Sequence, residues 1–292
     1  MTDASPARVL FSTGSLYLLD VAYVFALARE AGYDGVEVMC DERWSTRDPA
    51  YLSDLAAAHD LPVLVLHTPF SAKIPGWGYA HDEINRIERT LELAETLNAE
   101  SIVVHLPSKG TTRHLHLGAL EVRLPILNGT SKVKTWIETQ LSDVQRKTRV
   151  KIALENMPLR EIGGVRVDHT WWNDVDTWSG VHDHLTMDTT HWGSKGIDPL
   201  AAYTAARSRI AHVHLSNYFQ HEEHHLPHKG ELKLGRLLEA MAADGFSGTV
   251  SLEVQPQHLE YKDPKAMRRN LRDAAQFMRT HLGQPAHASL TR

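Results

Sequence analysis

The sequence predicts an α/β chain folded as one closed (β/α)8 barrel, and three observations lead there. Eight short runs rich in β-branched residues recur along the 292 residues, each followed by a longer stretch of helical periodicity. Several runs are apolar almost throughout, as in Val63-Leu64-Val65-Leu66, which suits parallel strands covered on both faces. No glycine-rich GxGxxG turn favours an open doubly wound sheet. The length is close to the roughly 250 residues usual for such barrels. No linker, low-complexity run or charge block divides residues 1–292, so a single domain is expected.

The strands are expected at Val9–Thr13, Gly35–Met39, Val63–His67, Ser101–His105, Val150–Glu155, Leu185–Asp188, Ile210–Leu215 and Thr249–Val254, with eight helices alternating between them. Gly32 and Gly245 each follow a helix and precede a strand, where a left-handed cap is needed. Asp48 before Pro49 and Asp263 before Pro264 mark helix starts. Between Asp82 and Asn98, Ile84, Ile87, Leu91 and Ala94 form one apolar stripe. Two connections are long, Pro107–Gly129 and Pro158–Trp172, and both follow strand ends, so they are expected to act as lids or substrate loops. Lys109 and Arg113 on the first read as solvated charges. The tail from about Gly283 is expected to be flexible.

Composition narrows the function. The net charge of −5 argues against broad electrostatic binding of nucleic acid. Cys40 is the single cysteine, so an intramolecular disulfide is impossible and a cytoplasmic location is expected. The apolar stretch Leu16 to Ala28 is broken by Asp20 and lacks a basic flank, so neither a signal peptide nor a membrane span is expected. Histidine is in excess, with 19 residues, and position decides which of them matter.

Six successive strands deliver imidazole or carboxylate to the same rim. Strand three ends in His67, four in His105, five in Glu155, six in Asp188 followed by His191, seven in His214 and eight in Glu253. Strand alternation is taken to let only one of His212 and His214 face inward at the rim, and His214, nearer the strand end, is preferred. This mixture of donors suits Zn²⁺ or Mn²⁺, and without thiolates a cysteine-based zinc site is excluded. A further cluster, Glu222 to His228, overhangs the rim after strand seven. Within it Glu223 and His225 are the candidates, and His228 competes if the loop register shifts.

These residues resemble the xylose-isomerase-like TIM-barrel superfamily, which holds sugar isomerases and epimerases together with endonuclease IV, an AP endonuclease of family 2. The resemblance runs from Ser12 to about Arg279. It is carried by Asp188-Thr-Thr-His191, His212-Val-His214-Leu-Ser-Asn217, His225-Leu-Pro227 and Gly248-Thr-Val-Ser-Leu-Glu253. It implies a divalent metal held by Glu155, Asp188, His214 and Glu253. The endonuclease IV branch would add His67, His105, His191, Glu223 and His225 around up to three zinc ions. In that branch an Asp stands where Glu223 does here, and the stretch from His225 to Glu231 is more similar to the sugar-isomerase members.

The resemblance therefore implies a Mn²⁺- or Zn²⁺-dependent isomerase or epimerase of a sugar or sugar phosphate, with one to three ions. Glu155 and Glu253 would transfer protons through an enediolate, and His191 would orient a substrate oxygen. Trp44, Phe70, Trp77 and Trp192 are candidates for stacking on a small-molecule sugar. The alternative is a multi-zinc phosphodiesterase acting on abasic DNA, in which Phe70 would wedge into the duplex. A barrel that binds metal or ligand without turnover is the third class. A homo-oligomer is compatible with all three.

Overall fold

The structure, a computed structural model, describes residues 6–117, 120–127 and 131–285, with the backbone alone at 110–117, 120–127 and 162. The expected tail beyond 285, and the side chains of Arg113, His114 and His116, lie outside the described residues. Eight parallel strands close into a barrel: β1 (Arg8–Ser12), β2 (Gly35–Met39), β3 (Val63–His67), β4 (Ser101–His105), β5 (Lys151–Glu155), β6 (Leu185–Asp188), β7 (Ile210–Leu215) and β8 (Thr249–Leu252). Each strand pairs with its sequence neighbours, and β8 returns to β1 through Val9 opposite Val250.

Alternation along the strands sorts the residues into two environments. Outward positions such as Phe11, Val36, Val38, Leu66, Val104, Leu154, Met187, Val213 and Val250 join the surrounding helices in one continuous apolar core. Inward, Leu10, Val65 and Val103 form a small separate cluster with Leu64. Many other inward positions are buried yet polar, among them Ser12, Glu37, His67, Glu155, Thr186, Asp188, His212, His214, Thr249 and Ser251. The helix-side layer therefore supplies most of the apolar burial, and the barrel interior is free to carry chemistry.

Local signals set the helix boundaries. Asp48 accepts from the Tyr51 amide, and Asp263 accepts from the amides of Lys265 and Ala266, each with proline at the first turn. Gly32 (φ 85°) ends helix Val21–Ala31, and Gly245 (φ 69°) turns the chain towards β8. In helix Glu83–Leu97 the stripe Ile87, Leu91 and Ala94 is buried. Two of the eight expected helices are divided, into Lys132–Thr139 with Leu141–Gln145 and Thr189–Ser194 with Pro199–Ala206. In the second case Gly196 (φ 72°) breaks the helix, and Asp198 caps a new one at Pro199.

The two long connections form hairpins, Gly110–Leu117 with Leu120–Leu127 and Arg160–Ile162 with Val165–Val167. Their bases are joined by a Ser108–Thr170 bridge and by the Trp171 amide donating to the Pro107 carbonyl at 2.9 Å. Among the described residues no helix is long and apolar enough to cross a membrane.

One expectation is corrected here. His212 and His214 both face the barrel interior, because residues two apart lie on the same side of a strand; His212 occupies the layer beneath His214.

Replacing the Asp263 cap by alanine should lower stability by about 1 kcal/mol, while Asp263→Asn should retain most of it. Urea unfolding checks this: the alanine midpoint falls with an unchanged slope, and an unchanged midpoint would refute the assigned role of the cap.

Candidate active site

Sheet register brings the rim residues together. His105 lies opposite Glu155, Glu155 opposite Thr186, and Asp188 opposite His214. At the centre is the His214 ring. Its Nδ1 is 2.8 Å from Glu155 Oε1 and 2.8 Å from Glu253 Oε2, with Asp188 Oδ2 at 3.9 Å. One donor atom from each of Glu155, Asp188, His214 and Glu253 falls within 4.8 Å of the others.

Flanking residues hold these groups in place. Asp188 Oδ1 caps the short helix Thr189–Ser194 by accepting from the His191 amide at 2.8 Å, which leaves Oδ2 turned to the centre. The Asn156 side chain bonds both the amide (2.8 Å) and the carbonyl (3.0 Å) of Asp188, locking the ends of β5 and β6 together. His191 Nδ1 donates to the Asn156 carbonyl at 2.8 Å, so its Nε2 carries the lone pair. His67 is fixed in the same way, with Nδ1 donating to the Thr68 carbonyl at 2.7 Å. The His67 and His105 Nε2 atoms are 3.2 Å apart, and they lie 3.5 and 3.3 Å from Glu155 Oε2.

The electrostatics are those of crowded carboxylates. Burial raises the Asp188 carboxyl to about 8, with the Glu253 and Glu155 charges adding to the effect against the opposing pull of His224. Burial works in the same direction on Glu155, but His214 overcomes it and holds that carboxylate well below its usual range. The His214 imidazole is itself held well above its usual value, because Glu253, Glu37 and Glu155 outweigh its desolvation. Glu155 Oε2 and Asp188 Oδ2 are buried without a hydrogen-bond partner. Unpaired buried carboxylate oxygens are costly. With the mixed imidazole and carboxylate donors around them, they fit a divalent cation of the Zn²⁺ or Mn²⁺ type.

A cavity of about 850 Å³ opens over this cluster. Its walls include Glu155, Glu253, His67, His105, His191 and Phe70. Asp41, Glu42 and Arg43 also line it, and the Arg43 guanidinium is already paired with Asp41. Of the aromatic candidates, exposed Phe70 reaches the cavity, whereas Trp192 is fully buried against Trp178 in the helix-side core. Trp44 packs at a tilt against Tyr51, and Trp77 packs under Arg47; neither lines the cavity.

The loop after β7 departs from expectation. Glu223 faces Arg166 at 3.7 Å, and His225 stacks on His258 with ring centroids 3.6 Å apart, so neither joins the central cluster. His224 stands there instead, with Asp188 and His191, and it lines the cavity. The short hairpin Asn217–Phe219/Glu222–His225 places adjacent residues on opposite sides, and His224 takes a left-handed φ of 60°. His228 lies elsewhere, beside Phe277. Glu37 on β2 is a further addition, fully buried and bonded to both His212 and His214. Its only mark in the sequence is a carboxylate inside the apolar run Gly35-Val-Glu-Val-Met39, at an inward-facing position.

The chain is similar to several known proteins. An uncharacterized protein of Mycobacterium tuberculosis is 27% identical over 281 residues, covering 94% of this chain and 98% of its own. Among solved structures, 3-keto-D-glucoside 4-epimerase from E. coli superposes with a TM-score of 0.66 at 18% identity, over 92% of this chain and 99% of that one. D-psicose 3-epimerase from Clostridium cellulolyticum gives 0.65 at 16%, over 94% and 99%. A family 2 AP endonuclease from Brucella melitensis gives 0.63 at 18%, over 86% and 94%. At these identities the structural matches establish the fold alone. The family profile reaches further, since it matches residues 25–281, and the chain thereby belongs to the xylose isomerase-like TIM barrel family.

Proposed function

We propose that the protein is a divalent-metal-dependent isomerase or epimerase of a small sugar. The observation that carries this reading is the pair of glutamates, Glu155 and Glu253, which approach one point from two strands, 2.8 Å each from His214 Nδ1, and both line the cavity. Glu155, Asp188, His214 and Glu253 would hold the cation. When bound, it supplies Lewis-acid polarisation of carbonyl and hydroxyl oxygens and stabilises negative charge developing on them. One glutamate takes the proton on the carbon next to the substrate carbonyl, and the electron pair moves onto the carbonyl oxygen to give an enediolate. The other glutamate returns a proton to the opposite face, or to the adjacent carbon, which gives epimer or isomer respectively.

Other residues fit this role. The His191 Nε2 lone pair, set by the bond from its Nδ1 to Asn156, is available to accept a substrate hydroxyl proton. Phe70 offers an exposed ring at the cavity edge for the apolar face of a sugar. A cavity of about 850 Å³ is ample for a monosaccharide. Neighbours described as sugar epimerases support the same substrate class.

The phosphodiesterase reading has one observation in its favour. His67, His105 and Glu155 form a second donor triad, which suits an additional ion bridged by Glu155. The charge of the cavity counts against it. Glu42, Glu155 and Glu253 line the opening, and its one arginine is paired with Asp41. A DNA backbone would meet repulsion there.

Glu155→Gln and Glu253→Gln should each lower turnover of a reactive ketose by about 10²- to 10⁴-fold without unfolding the protein. Exchange of the α-hydrogen in deuterated water, followed across a ketose panel, reads this; full exchange in both variants would refute the proton-transfer assignment. Chelation should abolish turnover, and Mn²⁺ or Zn²⁺ should restore it. Metal analysis of the purified protein should give about one ion per chain. Three zinc ions per chain together with cleavage of a duplex carrying an abasic site would replace the isomerase by the phosphodiesterase.

A further inference from the structure

We propose that Glu37 is a positioning residue that keeps the Nε2 proton on His214, so that Nδ1, between Glu155 and Glu253, is the nitrogen that gives up its proton and binds the cation. The proposal rests on the metal-dependent reading above and assigns a role to a residue outside the ligand set. Glu37 Oε1 is 3.0 Å from His214 Nε2, and Oε2 is 3.3 Å from His212 Nε2. All three side chains are fully buried. An ionised carboxylate only accepts hydrogen bonds, so both imidazoles must donate from Nε2. The Nδ1 of neutral His212, 2.7 Å from Thr249 Oγ1, then accepts the threonine hydroxyl proton. One consistent proton arrangement runs from Thr249 through His212 and Glu37 to His214.

Three features favour this role over a purely structural one. Any apolar residue of similar size would fill the space of Glu37, whereas a buried carboxylate costs desolvation that packing alone does not offset. The arrangement leaves His214 Nδ1, and not Nε2, beside the oxygens of Glu155 and Glu253. Finally, Glu37, His212 and His214 do not themselves make a plausible cation site. Both carboxylate oxygens already accept N–H groups. A carboxylate behind a ligating imidazole fixes the orientation of the ring and raises its basicity, and such partners are typically worth about 10- to 100-fold in metal affinity.

The test is Glu37→Gln, which keeps the shape but removes the charge and replaces one of the two acceptor oxygens by an N–H donor. Titration with Mn²⁺ or Zn²⁺ against a competing chelator should show affinity about 10- to 100-fold below wild type. Affinity within twofold of wild type, whatever happens to the melting temperature, would reduce Glu37 to a structural residue and overturn the proposal. A second measurement needs no Glu37 variant. In the Zn²⁺-loaded protein with ¹⁵N-labelled histidine, long-range ¹H–¹⁵N correlations should report Nε2–H for His214, identified by the signals lost in His214→Asn. An Nδ1–H tautomer would overturn the proposal. If wild type takes up no divalent cation and Glu155→Gln changes nothing, the metal-dependent reading falls and takes this inference with it. Normal uptake with unchanged Glu37→Gln affinity defeats the inference alone.

Discussion

Both nitrogens of one buried imidazole are engaged by carboxylates, and the rest of the barrel is arranged around that fact. His214 meets Glu37 from β2 on one side, and Glu155 from β5 and Glu253 after β8 on the other. The Glu37 and Glu155 contacts cross the barrel and tie β7 to strands with which it shares no ladder, whereas the Glu253 contact reinforces the β7–β8 pair. Four carboxylates at the centre would repel one another in a medium where each charge is poorly screened. The imidazole lowers that repulsion, but it cannot satisfy every oxygen, as Glu155 Oε2 and Asp188 Oδ2 show. The balance therefore leans towards more positive charge than the protein provides.

A barrel can bear this cost because the two faces of its strands do separate work. The outward residues pack with the helices as one apolar core, and the inward apolar cluster is small. Inward polar groups such as Thr186 and Ser251 remain without partners, so the interior is not optimised for hydrogen bonding. Loss of one inward contact weakens little of the packing that keeps the strands in register. That separation is what allows ligand-type residues at the ends of β3 to β8 without loss of the fold.

The fold was legible in the sequence because its signals are local. Eight apolar runs, the Asp-Pro helix starts and the turns at Gly32 and Gly245 from a helix into the next strand all act within a few residues. The strand-end donors were legible for the same reason: a histidine or carboxylate closing an apolar run has few other places to point. Non-local pairing hid the rest. Glu37 looks like one misplaced charge until the closed sheet sets it against β7, more than 170 residues away. The run from Glu222 to His225 holds donors at every position, so the choice among them depends on hairpin pairing and on the left-handed backbone at His224. Trp192 follows a strand end and looks like a rim residue, but the short helix capped by Asp188 turns it into the core beside Trp178.

Tautomers connect these observations to chemistry. A histidine near a carboxylate cluster can donate or accept, and a bond at one nitrogen decides what the other does. His67 gives its Nδ1 proton to the Thr68 carbonyl and turns Nε2 towards Glu155 and His105, and His191 gives its own to the Asn156 carbonyl and turns Nε2 away from that bond. His214 is held at Nε2 by Glu37 and presents Nδ1 to the glutamate pair. Backbone carbonyls and one buried carboxylate thus decide which imidazole nitrogen faces inward on several strands. Inward-facing imidazole nitrogens together with carboxylate oxygens suit hydroxyl-rich ligands as well as cations, since a hydroxyl can both donate and accept. An acidic rim suits a neutral polyol better than a polyanion, and the same groups that would hold a cation at the centre can orient sugar hydroxyls at its edge.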